Sequence, residues 1–178
     1  MRSSRNYVPR PARLPKPPGR YRDVKEYLPM TSSPVRTSTP TQTVQAFLDA
    51  FARRDVVAAI AVVGPHVSVT VHPLGIRDTG ADALRNVLAD LVRGFPDLMI
   101  SVGRVITTGD VVTALVKAEG TQSADYAGAI NQEKHLDIDQ AWRFVVSDGL
   151  ITGVTVYWCQ AQLYRRLAVK RYDEIAIA

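Results

Sequence analysis

One cysteine, Cys159, and three histidines are all the thiol and imidazole that 178 residues carry. A lone cysteine excludes an intramolecular disulfide, and no Cys/His cluster has zinc spacing, so no metal site and no cofactor are expected. Long hydrophobic runs are lacking as well. Nothing approaches the roughly 18 apolar residues of a membrane span, and the basic N-terminus lacks the apolar stretch of a secretory signal. The expectation is a cytoplasmic protein with no membrane partner.

A formal charge of +5 suggests nucleic acid until its distribution is read. Residues 1–40 hold nine Lys/Arg against Asp23 and Glu26, a net +7, whereas the remaining 13 basic and 15 acidic residues give −2. The basic character belongs to one end, and the rest offers few aromatics interleaved with cations, only Tyr164 and Tyr172 beside the C-terminal arginines. No nucleic-acid partner is expected. Eight of the eleven prolines also fall in residues 1–40. Such a stretch buries too little surface to offset its ordering entropy, which predicts a disordered, basic, Pro-rich extension. It reads as a basic arm for nucleic acid or membrane, a Pro-rich ligand for a partner domain, a linker, or the product of a mis-set start codon with the true start at Met30. The domain then spans 41–170, with 171–178 as a C-terminal tail.

Regular signals begin at Thr41, expected to cap a helix whose Val44, Phe47, Leu48 and Phe51 form one apolar stripe. Asp55 caps a second short helix, ended by Gly64-Pro65. Residues 66–74, HVSVTVHPL, alternate as a strand closed by His72-Pro73. A third helix covers 79–94 with Leu84, Val87, Leu88 and Leu91 on one face. Four strands follow, 98–106, 111–119, 135–146 and 150–158, the first two joined across Gly109-Asp110 and the last two across Asp148-Gly149. Helices first and a meander second predict an α+β fold, with helices against one face of a curved antiparallel sheet.

The order GFPDL (94–98), GD (109–110), DG (148–149), YW (157–158) and YRRLAV (164–169) resembles the SnoaL-like polyketide cyclases of the nuclear transport factor 2-like superfamily. The resemblance covers about 41–170. It implies a cone-shaped barrel around a deep apolar pocket, a homodimer through the sheet's outer face, and cofactor-free chemistry on hydrophobic polycyclic molecules. It also implies a catalytic Asp on the last strand and a supporting His on the long strand before it. Those positions fall on Val156 and Trp142, so the family's usual aldol base is missing.

Strand parity sorts what else lines the pocket. On the long strand Leu136, Ile138, Gln140, Trp142, Phe144 and Val146 share the inward face, with Asp137, Asp139 and Arg143 outward unless a bulge reverses Asp139. His72, ending its strand where relatives place a polar pocket residue, is a candidate acid/base. Tyr126, in the loop 123–135, is a candidate donor at the mouth. Catalytic candidates are thus His72, Tyr126 and Asp139. Gln140, Trp142, Val156 and Trp158 are ligand-binding candidates, a buried amide such as Gln140 needing a partner that a ligand oxygen would supply. Cys159 is expected to be a buried structural thiol. Two functions remain open: a cofactor-independent enzyme cyclising, isomerising or dehydrating a polycyclic intermediate of secondary metabolism, or a non-catalytic small-molecule-binding or assembly module.

Overall fold

The computed structural model describes residues 38–170. The N-terminal extension and the C-terminal tail expected from composition lie outside them, apart from residues 38–40.

Helix α1 (Pro40–Ala52) is capped by Thr39 rather than Thr41, because Pro40 takes the first helical position, where its missing N–H costs nothing. The Thr39 hydroxyl accepts from the Gln42 N–H while Gln42 Oε1 accepts from the Thr39 N–H, a reciprocal capping box. Asp55 caps α2 (Val56–Ala61) by accepting from the Ala58 N–H at 2.9 Å. Strand β1 (Val63–Val71) starts earlier than expected and contains Pro65. Proline is tolerated there because the parallel ladder to the last strand is interrupted between Val63 and Ser68.

A 3-10 turn (His72–Leu74) leads through Gly75, at φ 69°, into a short edge strand β2 (Ile76–Thr79), which periodicity did not reveal in only four residues. Helix α3 (Ala81–Gly94) follows, then β3 (Met99–Thr108), β4 (Val111–Thr121), β5 (His135–Ser147), β6 (Leu150–Trp158) and α4 (Gln160–Arg166). Asp148 and Gly149 both have positive φ, 52° and 77°, which the tight β5–β6 hairpin requires.

The six strands form one curved sheet in the order β2-β1-β6-β5-β4-β3, antiparallel except where β1 runs parallel to β6. Register shifts near Gly103 on β3 and Thr152 on β6 bend it. Its inner face carries Val112, Ala114, Val116 and Ala118 from β4, Leu136, Ile138, Trp142 and Phe144 from β5, and Val154 and Val156 from β6, all buried. Leu163 of α4 and Leu167, which ends that helix, are fully buried.

The turn before β3 is fixed by one carboxylate. Asp97 Oδ1 accepts from the Thr121 N–H at 2.6 Å, and that hydrogen bond is the main cause holding its carboxyl below the usual range. The approach is close enough that a Cβ on Gly120 would lie 3.1 Å from both Asp97 Oδ1 and Phe95 Cβ. GFPDL is thus a docking turn as much as a helix stop.

Candidate functional site

The interior between α1 and the sheet is filled by aromatic rings. Trp142 faces Ala114 on β4 and Val156 on β6, two small neighbours that make room for it. Phe47 and Phe51 of α1 cover it at ring-centroid distances of 6.0 and 5.8 Å, and Phe144 stacks at 6.0 Å. Trp142 and Val156, the residues that the resemblance sets against the family's histidine and acid, are direct cross-strand partners, and both are buried. Neither is a proton-transfer group.

Gln140 is buried on the same face, but its partner is already present: Trp142 Nε1–H donates to Gln140 Oε1 at 2.7 Å. That contact satisfies the carbonyl and leaves the Nε2 amide, the group that could meet a ligand oxygen, outside it; Gln140 does not line the cavity described next. Trp158, opposite Gln140 across β5 and β6, is half-buried, and its indole N–H donates to Gln160 Oε1 at 2.9 Å.

A cavity of about 480 Å³ lies between α3, the 3-10 turn, β2, the loop before β5 and α4. Pro73, Leu74 and Ile76 form its apolar wall, and Asn86, Asp90 and Arg93 a polar stripe along α3. These three sit at helical spacing i, i+4, i+7, so they share a face. Arg93 and Asp90 are paired at 2.9 Å with both side chains largely exposed, a rim pair of small energetic weight.

Tyr126 is the one predicted site residue that lines this cavity. A two-residue turn holds it there: Tyr126 and Ala129 exchange backbone hydrogen bonds across Ala127 and Gly128, both at positive φ, 49° and 81°. Phe95 meets its ring edge-on at 5.4 Å, and the Tyr164 hydroxyl donates to the Ala127 carbonyl at 3.1 Å. Burial pushes the Tyr126 phenol above its ordinary pKa, and the Asp90 carboxylate adds to the shift. A phenol so held is a hydrogen-bond donor at neutral pH and no base.

The other two catalytic candidates do not reach the cavity. Val71 takes the last inward position of β1, the chain turns at His72, and the imidazole stands exposed, stacked on the half-exposed Tyr157 ring at 4.6 Å and 18°. Asp139 is exposed on the outer face. The β4–β5 register runs without a shift from His135 to Val145, so the bulge that would have turned Asp139 inward is not there. Cys159 is exposed rather than buried, at the junction where it caps the N-terminus of α4. Among the described residues no three His, Cys, Asp or Glu side chains gather as a metal ion would need.

Sequence reasoning missed Asn86, Asp90, Arg93, Gln160 and Tyr164. The α3 stripe was visible as a polar row beside the apolar one. Its use depended on which elements fold over it.

Comparison with known proteins follows the same lines. A family model described as SnoaL-like domain matches residues 44–154. The chain belongs to the SnoaL-like family. No curated protein matches it significantly. Among solved structures, the SnoaL-like chain resembles IdmH, a proposed polyketide cyclase from Streptomyces antibioticus, with TM-score 0.65 and 19% identity over 74% of this chain and 100% of that one. A proposed SnoaL-like polyketide cyclase from Jannaschia sp. CCS1 gives TM-score 0.66 and 18% identity over 74% and 93%. A protein of ketosteroid isomerase-like fold from Catenulispora acidiphila, solved with trimethylamine, gives 0.61 and 17% over 74% and 95%. At these identities the likeness is one of fold. No helix among the described residues is long and apolar enough to cross a membrane.

Proposed function

We propose that this SnoaL-like protein binds a hydrophobic, ring-bearing small molecule of the polyketide type in the cavity along α3, and that it does not perform the family's aldol cyclisation. The observation supporting this reading is the Trp142–Val156 pair: the residues that the resemblance sets against the family's histidine and acid are buried cross-strand packing partners. The remaining cavity has a volume in the range of ligand sites and sets an apolar wall against a polar stripe, an arrangement that suits a flat molecule with oxygens along one edge.

A second reading, cofactor-independent isomerisation or dehydration of a polycyclic intermediate, is favoured by one observation: a carboxylate, Asp90, and a phenol, Tyr126, line the same cavity. In that reading Asp90 is the base and Tyr126 the donor, replacing His72 and Asp139. The outer face exposes Leu115 and Tyr157, which supports a homodimer through that face.

Titration of tryptophan fluorescence in the full chain with polycyclic phenols and ketones, followed by mass spectrometry of each mixture, tests both. Saturable quenching with unchanged ligand is the expected result. A changed product abolished by Asp90→Asn and Tyr126→Phe would establish the enzymatic reading, and no response from any probe would remove the cavity as a ligand site.

A further inference from the structure

The same local contact occurs twice on the inner side of the sheet, and only one copy opens on the cavity. Trp142 donates to Gln140, two residues before it, inside the packed core. Trp158 donates to Gln160, two residues after it, and Gln160 lines the cavity while Gln140 does not. An indole N–H can only donate, so the amide atom it meets must be the oxygen. The orientation of the Gln160 amide is therefore set: Oε1 is engaged, and Nε2 makes no hydrogen bond with any described residue.

We infer that Gln160 is the residue that reads a ligand oxygen in this cavity, offering its Nε2–H as donor to a carbonyl, with Trp158 as the positioning residue that prevents the amide from turning over. The inference deepens the ligand-binding reading and rests on it. Without the indole, a free amide presents oxygen or nitrogen with little preference and discriminates poorly between acceptors and donors. With Oε1 engaged, the site favours an acceptor. Tyr126 lines the same cavity and adds a second donor: its hydroxyl makes no hydrogen bond with any described residue. The favoured ligand is thus an apolar ring system bearing a ketone or quinone oxygen, rather than one bearing only hydroxyls or amines.

Two flat tricyclic probes of one outline separate this inference from the reading beneath it: 9-fluorenone carries a carbonyl where fluorene carries a methylene. Affinities of both are measured by equilibrium dialysis against the full chain and against Gln160→Leu and Trp158→Phe, with circular dichroism confirming the fold of each variant. Gln160→Leu is expected to lower the fluorenone-to-fluorene affinity ratio about tenfold while fluorene itself changes no more than about twofold. Trp158→Phe, which keeps a ring and loses the donor, is expected to lower the ratio about threefold. An unchanged ratio in Gln160→Leu, or an equal loss of both probes, overturns the inference and leaves the cavity a ligand site. A ratio that falls in Gln160→Leu but stays intact in Trp158→Phe overturns the positioning role. If the unaltered protein binds neither probe, the ligand-binding reading falls, and this inference with it.

Discussion

Trp142 Nε1–H donates to Gln140 Oε1 at 2.7 Å, two residues apart on the inward face of β5. Strand alternation puts both side chains on one face, and the bond satisfies the indole N–H and the amide oxygen inside an otherwise apolar interior. Removing only the donor leaves a buried carbonyl unsatisfied. Trp142→Phe is therefore expected to destabilise the protein by about 3 kcal/mol, part from the lost hydrogen bond and part from the smaller ring. Adding Gln140→Leu to Trp142→Phe should recover about 1 kcal/mol relative to the sum of the single changes. Urea denaturation of the four proteins in a double-mutant cycle measures this. Simple additivity would mean that the bond contributes nothing.

The pairing also marks where sequence stopped being informative. Alternation along β5 put Gln140 and Trp142 inward and Asp139 outward, and the unbroken β4–β5 register agrees. Position in the resemblance placed Val156 and Trp142 at the lost acid and histidine, and the fold makes them neighbours. Neither kind of reasoning could say what satisfies a buried amide, because that is a three-dimensional contact. His72 shows the same limit. Its sequence neighbour Pro73 does line the cavity, but the direction of the imidazole is decided by a turn of three residues and by Tyr157 from a strand 85 positions away. The cavity's polar stripe lies on α3 in plain view, yet only the packing of the 3-10 turn, the loop and α4 beside that face makes it one wall of a cavity.

The docking of the GFPDL turn on the end of β4 predicts a steric effect at a glycine whose backbone is unremarkable. Gly120 needs no unusual φ. Its role is clearance, since an added Cβ would lie 3.1 Å from Phe95 Cβ and 3.3 Å from Leu98 Cα. Gly120→Ala should cost about 1–3 kcal/mol, through displacement of that turn. Asp97→Ala, which leaves the space and removes the acceptor, should cost about 1 kcal/mol because the carboxylate is exposed to solvent. The Asp97 carboxyl is held below its ordinary value, so its contribution is present above the ordinary carboxylate range and is lost as pH falls through the lowered one. Chemical denaturation at pH 7 and in mild acid should show the gap between the unaltered protein and Asp97→Ala closing on acidification. A gap that persists would place the effect in packing.

Placement off the cavity makes His72 and Asp139 dispensable for ligand binding. His72→Ala removes an exposed ring stacked on another half-exposed ring, a contact of about 0.5–1 kcal/mol at most. Asp139→Asn changes a charge on the outer face, near Lys117. Both variants should bind 9-fluorenone within about twofold of the unaltered protein, a difference of under 1 kcal/mol. A loss of tenfold or more in either, measured by equilibrium dialysis, would mean that the ligand sits elsewhere and would return His72 to the site.

Tyr126 couples the cavity to alkaline stability. Its phenol is buried beside the Asp90 carboxylate, so the folded protein holds the proton above the ordinary value near 10, whereas the unfolded chain releases it there. Proton binding then favours the folded state less and less as pH rises: the unfolded state binds fewer protons above about pH 10, and the slope of stability with pH is negative. Stability attributable to this group is complete below the ordinary tyrosine pKa and is lost progressively above it. Urea midpoints at pH 9 and pH 11 should therefore fall further for the unaltered protein than for Tyr126→Phe, which has no proton to hold. The spectrophotometric titration of the seven tyrosines should show one that resists ionisation and disappears in the variant. Equal losses in the two proteins, with all tyrosines titrating together, would mean that Tyr126 swings into water at high pH, and that the two-residue turn carrying it opens rather than holding the ring at the cavity.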